Sequence, residues 1–408
     1  MVSLIKRAVL LRSEKYMAQW HLHGRKTDKN NLQYFSVNAE SAWESLQGFG
    51  SEDVVIGFAD DGCFLSCIDE NISSKFIAAA YLKNGIVYAG QPKVMQDKMY
   101  IPGYRHGSAL AGLMAAPLSK VLPIGVAPGC RLLPVRWEYD DGFQITQKGF
   151  HQILKFLSDK VDVFVNTWAR LPHMKFSEEN VELIRELSST GGRRGKGIVF
   201  VWAAGNSNCP INFKTDNEIP YYGYVNSHGQ LSDARFSTCF THSLAELDNV
   251  LLVSAVNCYG QKAHYSCYGP GISICAPSNN SHCFDAYLFN EPGLTTRSAD
   301  SKKFTHNFKG TSASAALVAA VAGLVVSANA NLNARDIVSL IKKTATKDMD
   351  FSCYPELSFN CNDTPSGYVL DTPISPFERG YFDTSGWSPW FGYGLVNAAK
   401  AVERAIML

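Results

Sequence analysis

The sequence predicts an α/β fold, a mostly parallel sheet covered by helices on both faces. Three observations carry this. Short apolar, β-branched runs recur along the chain, as strands buried on both faces require. Between them lie stretches of helical length, and strands alternating with helices argue a parallel sheet. Apolar residues make up 46% of the 408 and charged residues 18%. That is below the usual charged share of ~25%, so the bulk of the chain can bury a core and is not disordered.

The elements follow in order. The first 50 residues read as polar and irregular, an N-terminal extension (1–50) before one domain spanning 51–408. Asp53–Ala59 is a buried strand ending at Asp60-Asp61-Gly62. Further strands are expected at Arg131–Trp137, Val161–Thr167, Gly197–Ala203 and Val250–Val256. Helices are expected near Ser108–Ala116, Thr146–Leu157 and Ser177–Ser189, the last with amphipathic spacing in Val181–Leu187. The C-terminal third adds helices at Thr311–Ala328, Ala334–Lys343 and Leu395–Ile406, with a loop-like insert at 346–390. The longest run without a charged or polar group, Ala315–Val326, is shorter than the ~20 residues of a membrane span.

Charge and cysteines exclude several classes. The balance of 38 basic and 37 acidic residues leaves +1, so no nucleic-acid partner driven by net charge is expected. The 11 cysteines are an odd number, so at least one thiol stays free or pairs between chains. None has the paired short spacing of a zinc site, while a Cys353–Cys361 bridge would require an oxidising compartment. Charges interrupt the apolar stretch of Met1–Arg12, which therefore fails as a signal peptide. The expected location is cytoplasmic, or outside by a non-classical or dedicated route.

Amide hydrolysis needs a nucleophile, a base, an orienting acid and a donor for the oxyanion. Four segments supply these. Asp60-Asp61-Gly62 closes a strand, and His106-Gly107-Ser108 opens a small-residue helix with Ala111-Gly112. Asn206 follows a strand in Ala203-Ala204-Gly205-Asn206, and Ser312 starts a buried helix in Gly310-Thr311-Ser312-Ala313. Taken singly, each has an ordinary meaning: a turn, a structural histidine, a helix cap. Four in this order, each in the right strand or helix context, are specific.

On these motifs the chain resembles the subtilisin-like serine proteases (peptidase S8 family), and within them the kexin and furin-like branch. Gln19-Trp20-His21-Leu22 is similar to the opening of a kexin-type catalytic domain, and Phe391–Ala399 to its end. The resemblance implies a three-layer α/β/α domain and a serine endopeptidase acting on a protein or peptide. It implies a triad of Asp60, His106 and Ser312, with Asn206 as the side-chain oxyanion donor. Asp61 resembles the second acid that contacts a basic P2 side chain.

The chain also departs from that branch. Where the family has Ser-Trp-Gly-Pro followed by acids, this sequence has Thr167-Trp168-Ala169-Arg170-Leu171-Pro172-His173. Trp168, Ala169 and Arg170 are therefore candidate substrate-binding residues of altered character. A further family acid, one that helps hold calcium beneath the P1 pocket, falls at Cys267. Without these carboxylates, a P1-arginine preference loses its electrostatic basis, and cation binding there lacks oxygen ligands. No metal is expected, although Asp69 could be one ligand of a different calcium site. Asp216, with Glu218 beside it, is the acid that could rebuild a basic-specific pocket. An inhibitory pro-domain and a P domain are absent from the 408 residues, so a regulatory partner is one expected means of restraint. Two other readings stay open: a peptide ligase or macrocyclase on the same fold, and an inactive pseudo-protease serving as a binding module.

Overall fold

The computed structural model describes residues 13–25, 34–137, 145–225, 231–280, 291–300, 303–352 and 373–408. Thirteen strands are described: β1 (Val55–Asp60), β2 (Ala79–Lys83), β3 (Ile86–Gly90), β4 (Arg131–Arg136), β5 (Val163–Asn166), β6 (His173–Met174), β7 (Val199–Ala203), β8 (Phe213–Val225), β9 (Leu231–His242), β10 (Val250–Val256), β11 (Ile272–Pro277), β12 (Leu294–Arg297) and β13 (Phe304–Phe308). Eight of them form one sheet in the order β11-β10-β7-β5-β1-β4-β2-β3. Its pairings are parallel except β2 with β3.

Alternation along the central strands separates two cores. Val163, Val165, Val199 and Val201 face one side, with the helices His106–Ala115 and Thr311–Ala328. Phe164, Phe200 and Trp202 face the other, against the helices Gln147–Leu157 and Glu178–Thr190. This is the expected three-layer arrangement.

Local sequence explains where the outer helices begin. Thr146, Ser177 and Asn333 each accept a backbone N–H three residues on, so a side-chain oxygen satisfies a donor that the first turn leaves unpaired. The helix Thr311–Ala328 is built otherwise. It is long and apolar enough to cross a membrane, yet 89% of it is buried inside the fold. Ala, Ser and Gly let it lie close to the sheet: a Cβ at Gly323 would stand 3.0 Å from Ile56 Cδ1.

Two expectations change. Among the described residues of the first 50, the chain is not irregular: Ala39–Leu46 is a helix, and Tyr16, Trp20, Leu22 and Trp43 belong to the main core. Trp43 Nε1 donates to Val126 O and Trp20 Nε1 to Gly293 O, tying this segment to remote loops. The hairpin β8–β9 stands where no strand was expected, and β6 pairs with it in a separate sheet. Of the 346–390 insert, Phe377 and Trp390 pack with Tyr268 in a small core of their own. The Cys353–Cys361 pair lies outside the described residues.

Candidate active site

β7, β5 and β1 are neighbours in the sheet, and their carboxyl ends carry the motif residues. Asp60 ends β1, Thr167 follows β5, and Asn206 lies three residues beyond β7. Ligand sites in open parallel sheets form at such carboxyl edges.

Asp60 is 5% exposed and all its contacts are directional. Its Oδ1 accepts from His106 Nδ1 at 2.7 Å and from the Asp61 N–H at 2.8 Å, and its Oδ2 accepts from Thr167 Oγ1 at 2.6 Å. Burial alone would raise its pKa, but the His106 charge and these hydrogen bonds outweigh it and hold the carboxyl below its ordinary value. Burial likewise disfavours charge on His106, yet the Asp60 carboxylate raises its pKa above 6.5. With Nδ1 engaged, Nε2 is the ring's other nitrogen, and the side chain is 39% exposed.

Asp61 has a different task. One oxygen accepts the His106 N–H at 3.0 Å and the other the Gly107 N–H at 2.7 Å. It thus satisfies the first donors of the helix His106–Ala115. Burial and the neighbouring Asp60 charge push its pKa up to about 7. Gly107 is required here because a Cβ would lie 2.0 Å from Gly62 O. The expected P2-contact residue is thus engaged with the helix that His106 opens.

Ser312 is 5% exposed in the first turn of its helix. Its hydroxyl donates to Thr167 O at 2.9 Å, and no hydrogen bond joins it to His106 in this arrangement. Its backbone N–H has no intrahelical acceptor at that position. Asn206 Oδ1 accepts from Thr311 N at 2.9 Å and from Thr311 Oγ1 at 2.8 Å. Those two donors fix the amide orientation, so Nδ2 is the free end. Thr311 Oγ1 also accepts the Gly205 N–H at 3.1 Å. Gly310, at φ +92°, lies under that amide, and a Cβ there would stand 3.2 Å from Nδ2.

The four motif residues therefore meet along one chain of contacts, His106–Asp60–Thr167–Ser312, continued through Thr311 to Asn206. Sequence reasoning missed Thr167 and Thr311 as members. The signal was present: Thr167 directly follows a buried strand at the sheet's carboxyl edge, and Thr311 lies between the motif glycine and serine.

The remaining candidates are dispersed. The Trp168 ring packs against Trp137, Phe150, Phe176 and Trp202, and its carbonyl accepts from Trp202 Nε1. Ala169 lines a cavity of about 300 Å³ beside Asn206 and Thr311. Ala169 and the exposed Arg170 line a larger cavity of about 970 Å³. Asp216 and Glu218 are exposed on β8 and line neither cavity. Asp69 takes the Asn71 N–H and the Ser74 hydroxyl, a local turn. Beneath Gly205, Cys267 and Cys209 bring their sulfurs to 3.8 Å. Two buried thiols offer none of the hard oxygen ligands calcium takes, so the residues present do not fit that ion there. Among the described residues no three His, Cys, Asp or Glu side chains converge as a metal-ligand set.

The chain has relatives. The chain is 25% identical over 421 residues to a calcium-dependent protease of Nostoc sp., covering 96% of this chain and 52% of that one. It is 26% identical over 339 residues to furin of Homo sapiens, covering 81% of this chain and 36% of that one. The chain thus spans about half the length of the calcium-dependent proteases it matches. Among solved structures, the Aeromonas sobria serine protease in complex with its chaperone superposes with a TM-score of 0.67 at 20% identity, covering 96% of this chain and 66% of that one. Fervidolysin from Fervidobacterium pennivorans gives 0.58 at 17% identity, over 99% of this chain and 48% of that one. The subtilase family model matches residues 51–377, four-fifths of the chain, and the chain belongs to that family.

Proposed function

We propose that the protein is a serine endopeptidase that hydrolyses peptide bonds through an acyl-enzyme on Ser312. The observation that carries this is the contact chain from His106 through Asp60 and Thr167 to Ser312, with the free end of Asn206 beside it. In the reaction the Ser312 hydroxyl turns from Thr167 O to His106 Nε2, which takes its proton as Oγ attacks the scissile carbonyl. The oxyanion receives the Ser312 N–H and Asn206 Nδ2. Asp60 holds the imidazole tautomer and stabilises the imidazolium. His106 then gives its proton to the leaving amine, and water reverses the sequence to free the acid and the serine.

Asp61, engaged with the helix that carries His106, acts in this reading on the histidine first and on a P2 residue only through its remaining lone pairs.

Ser312→Ala tests the proposal. Hydrolysis of a peptide pool should fall by ~10⁶-fold, the scale for loss of such a nucleophile in subtilisin, with thermal unfolding little changed. Wild-type-like turnover in the variant would sink the assignment. Products that gain the mass of water separate hydrolysis from ligation.

A further inference from the structure

We propose that two buried side chains, Arg297 and Lys75, act as built-in cations that hold the 117–130 segment, so that this part of the fold does without a bound divalent cation. The segment joins the helix His106–Ala115 to β4. The inference concerns the frame around the site and does not depend on the peptidase reading.

Both side chains are 5% exposed, and both direct their donors at backbone carbonyls. Arg297 Nε donates to Pro123 O at 2.7 Å, Nη2 to Pro117 O at 3.3 Å and Nη1 to Cys67 O at 3.4 Å. Lys75 Nζ donates to Pro128 O at 2.6 Å and to Cys130 O at 2.7 Å. Four of these five carbonyls belong to the 117–130 segment. Burial lowers the pKa of both groups, Lys75 to about 8, and the Asp69 carboxylate opposes it. Asp69 itself accepts from the Asn71 N–H and the Ser74 hydroxyl.

Carbonyl oxygens gathered from separate stretches of chain, with a carboxylate close by, are the ligand chemistry of a hard cation. Here the chain supplies the positive charge itself. A guanidinium stays protonated and carries five donors, and a buried charge persists where such partners satisfy it. A divalent ion brought to the same oxygens would meet two fixed positive charges at low dielectric. Asp69, expected as one possible calcium ligand, therefore stands beside cations already in place.

The packing ties this arrangement to the histidine. Gly112 lies in the helix that His106 opens, and a Cβ there would stand 2.8 Å from Arg297 Cβ and 2.9 Å from Arg297 N. Thr296 Oγ1 donates to Ala109 O at 2.9 Å. β12 thus lies directly on that helix, and Arg297 reaches the loop that follows its C-terminal end. Positive charge is favourable near such an end.

The test is thermal melting and amide hydrogen exchange of the wild type, Arg297→Met and Arg297→Lys, each with excess EDTA and with added calcium. In the wild type, the midpoint and the protection of 117–130 should be the same in both conditions. Arg297→Met keeps an apolar stem and removes the charge. It should lower the midpoint by ~5 °C. It should also speed exchange in 117–130 by at least ~10-fold, beyond any change in the central strands. Arg297→Lys, a point charge that reaches fewer carbonyls, should restore part of both. Wild-type protection of 117–130 that collapses in EDTA or rises with calcium overturns the inference. So does wild-type protection in Arg297→Met, or equal loss in the two variants, which would leave only the packing of the stem. If Arg297→Met does not fold, a folded Arg297→Lys supports the role of the charge, and failure of both counts as equal loss.

Discussion

Asn206 and Thr311, next to Ser312, line the smaller cavity and residues 168–173 the larger one, Ala169, Leu171 and Arg235 lining both, and the two walls are held differently. On the first, hydrogen bonds determine the orientation of each group. Asn206 Oδ1 takes two donors from Thr311, Thr311 Oγ1 takes the Gly205 N–H, and Ser312 bonds Thr167 O. On the second, Arg170, His173 and Arg235 are exposed, on an extended segment and a hairpin. The groups of the proposed triad and oxyanion donor sit where hydrogen bonds orient them, and Arg170, His173 and Arg235 sit exposed on the neighbouring segment and hairpin. A rigid edge carrying variable loops is how a fold keeps a chemistry while altering its substrate.

The comparison can be broken first at the rigid wall. Asn206→Ala removes the side-chain donor and should lower kcat by ~10²–10³-fold, as for the corresponding loss in subtilisin, with KM little moved. A loss carried by KM alone would place Asn206 in ground-state binding instead.

Thr167→Val keeps the carbonyl that receives Ser312 and removes the hydroxyl that donates to Asp60. A hydrogen bond to a charged group is worth ~1.5–3 kcal/mol, so kcat/KM should fall by ~10- to 100-fold. Thr167→Ser should restore most of it. Loss in Thr167→Ser with none in Thr167→Val would show that the γ-methyl packing, not the hydroxyl, matters.

Asp61→Asn gives the smallest effect, one of pH. His106 must be neutral to act as base, and its pKa is raised above 6.5 by Asp60 and, more weakly, by Asp61. Activity should therefore fall as pH drops through a value above 6.5. Removing the Asp61 charge lowers the His106 pKa and moves that acid limb to lower pH. A limb that stays in place, or moves up, would remove Asp61 from the electrostatics of the histidine.

Much of the rigid wall was legible in the sequence because short-range chemistry writes it. A strand's end, a glycine that lets two backbones meet, and a small-residue helix leave local marks around Asp60, Gly107 and Ser312. The helix Thr311–Ala328 appears with the bounds its apolar composition predicts. The other wall left fewer marks. Lys214, Asp216 and Glu218 are exposed on β8, so the strand lacks the apolar signature of a buried one. In the first 50 residues, Trp20 and Trp43 are buried by remote loops, which no periodicity announces. Thr167 was visible only as a departure from a family pattern, and its two bonds to Asp60 and Ser312 depend on the neighbouring positions of β1 and β5 in the sheet.

The central claim is that Ser312 is a nucleophile activated by His106. Treatment with a fluorophosphonate, followed by peptide mass mapping across pH, tests it most directly. The account predicts one adduct, on Ser312, forming more slowly as His106 is protonated and absent from Ser312→Ala. Folded wild-type protein that gains no adduct on Ser312, or labelling that persists in the alanine variant, would contradict it.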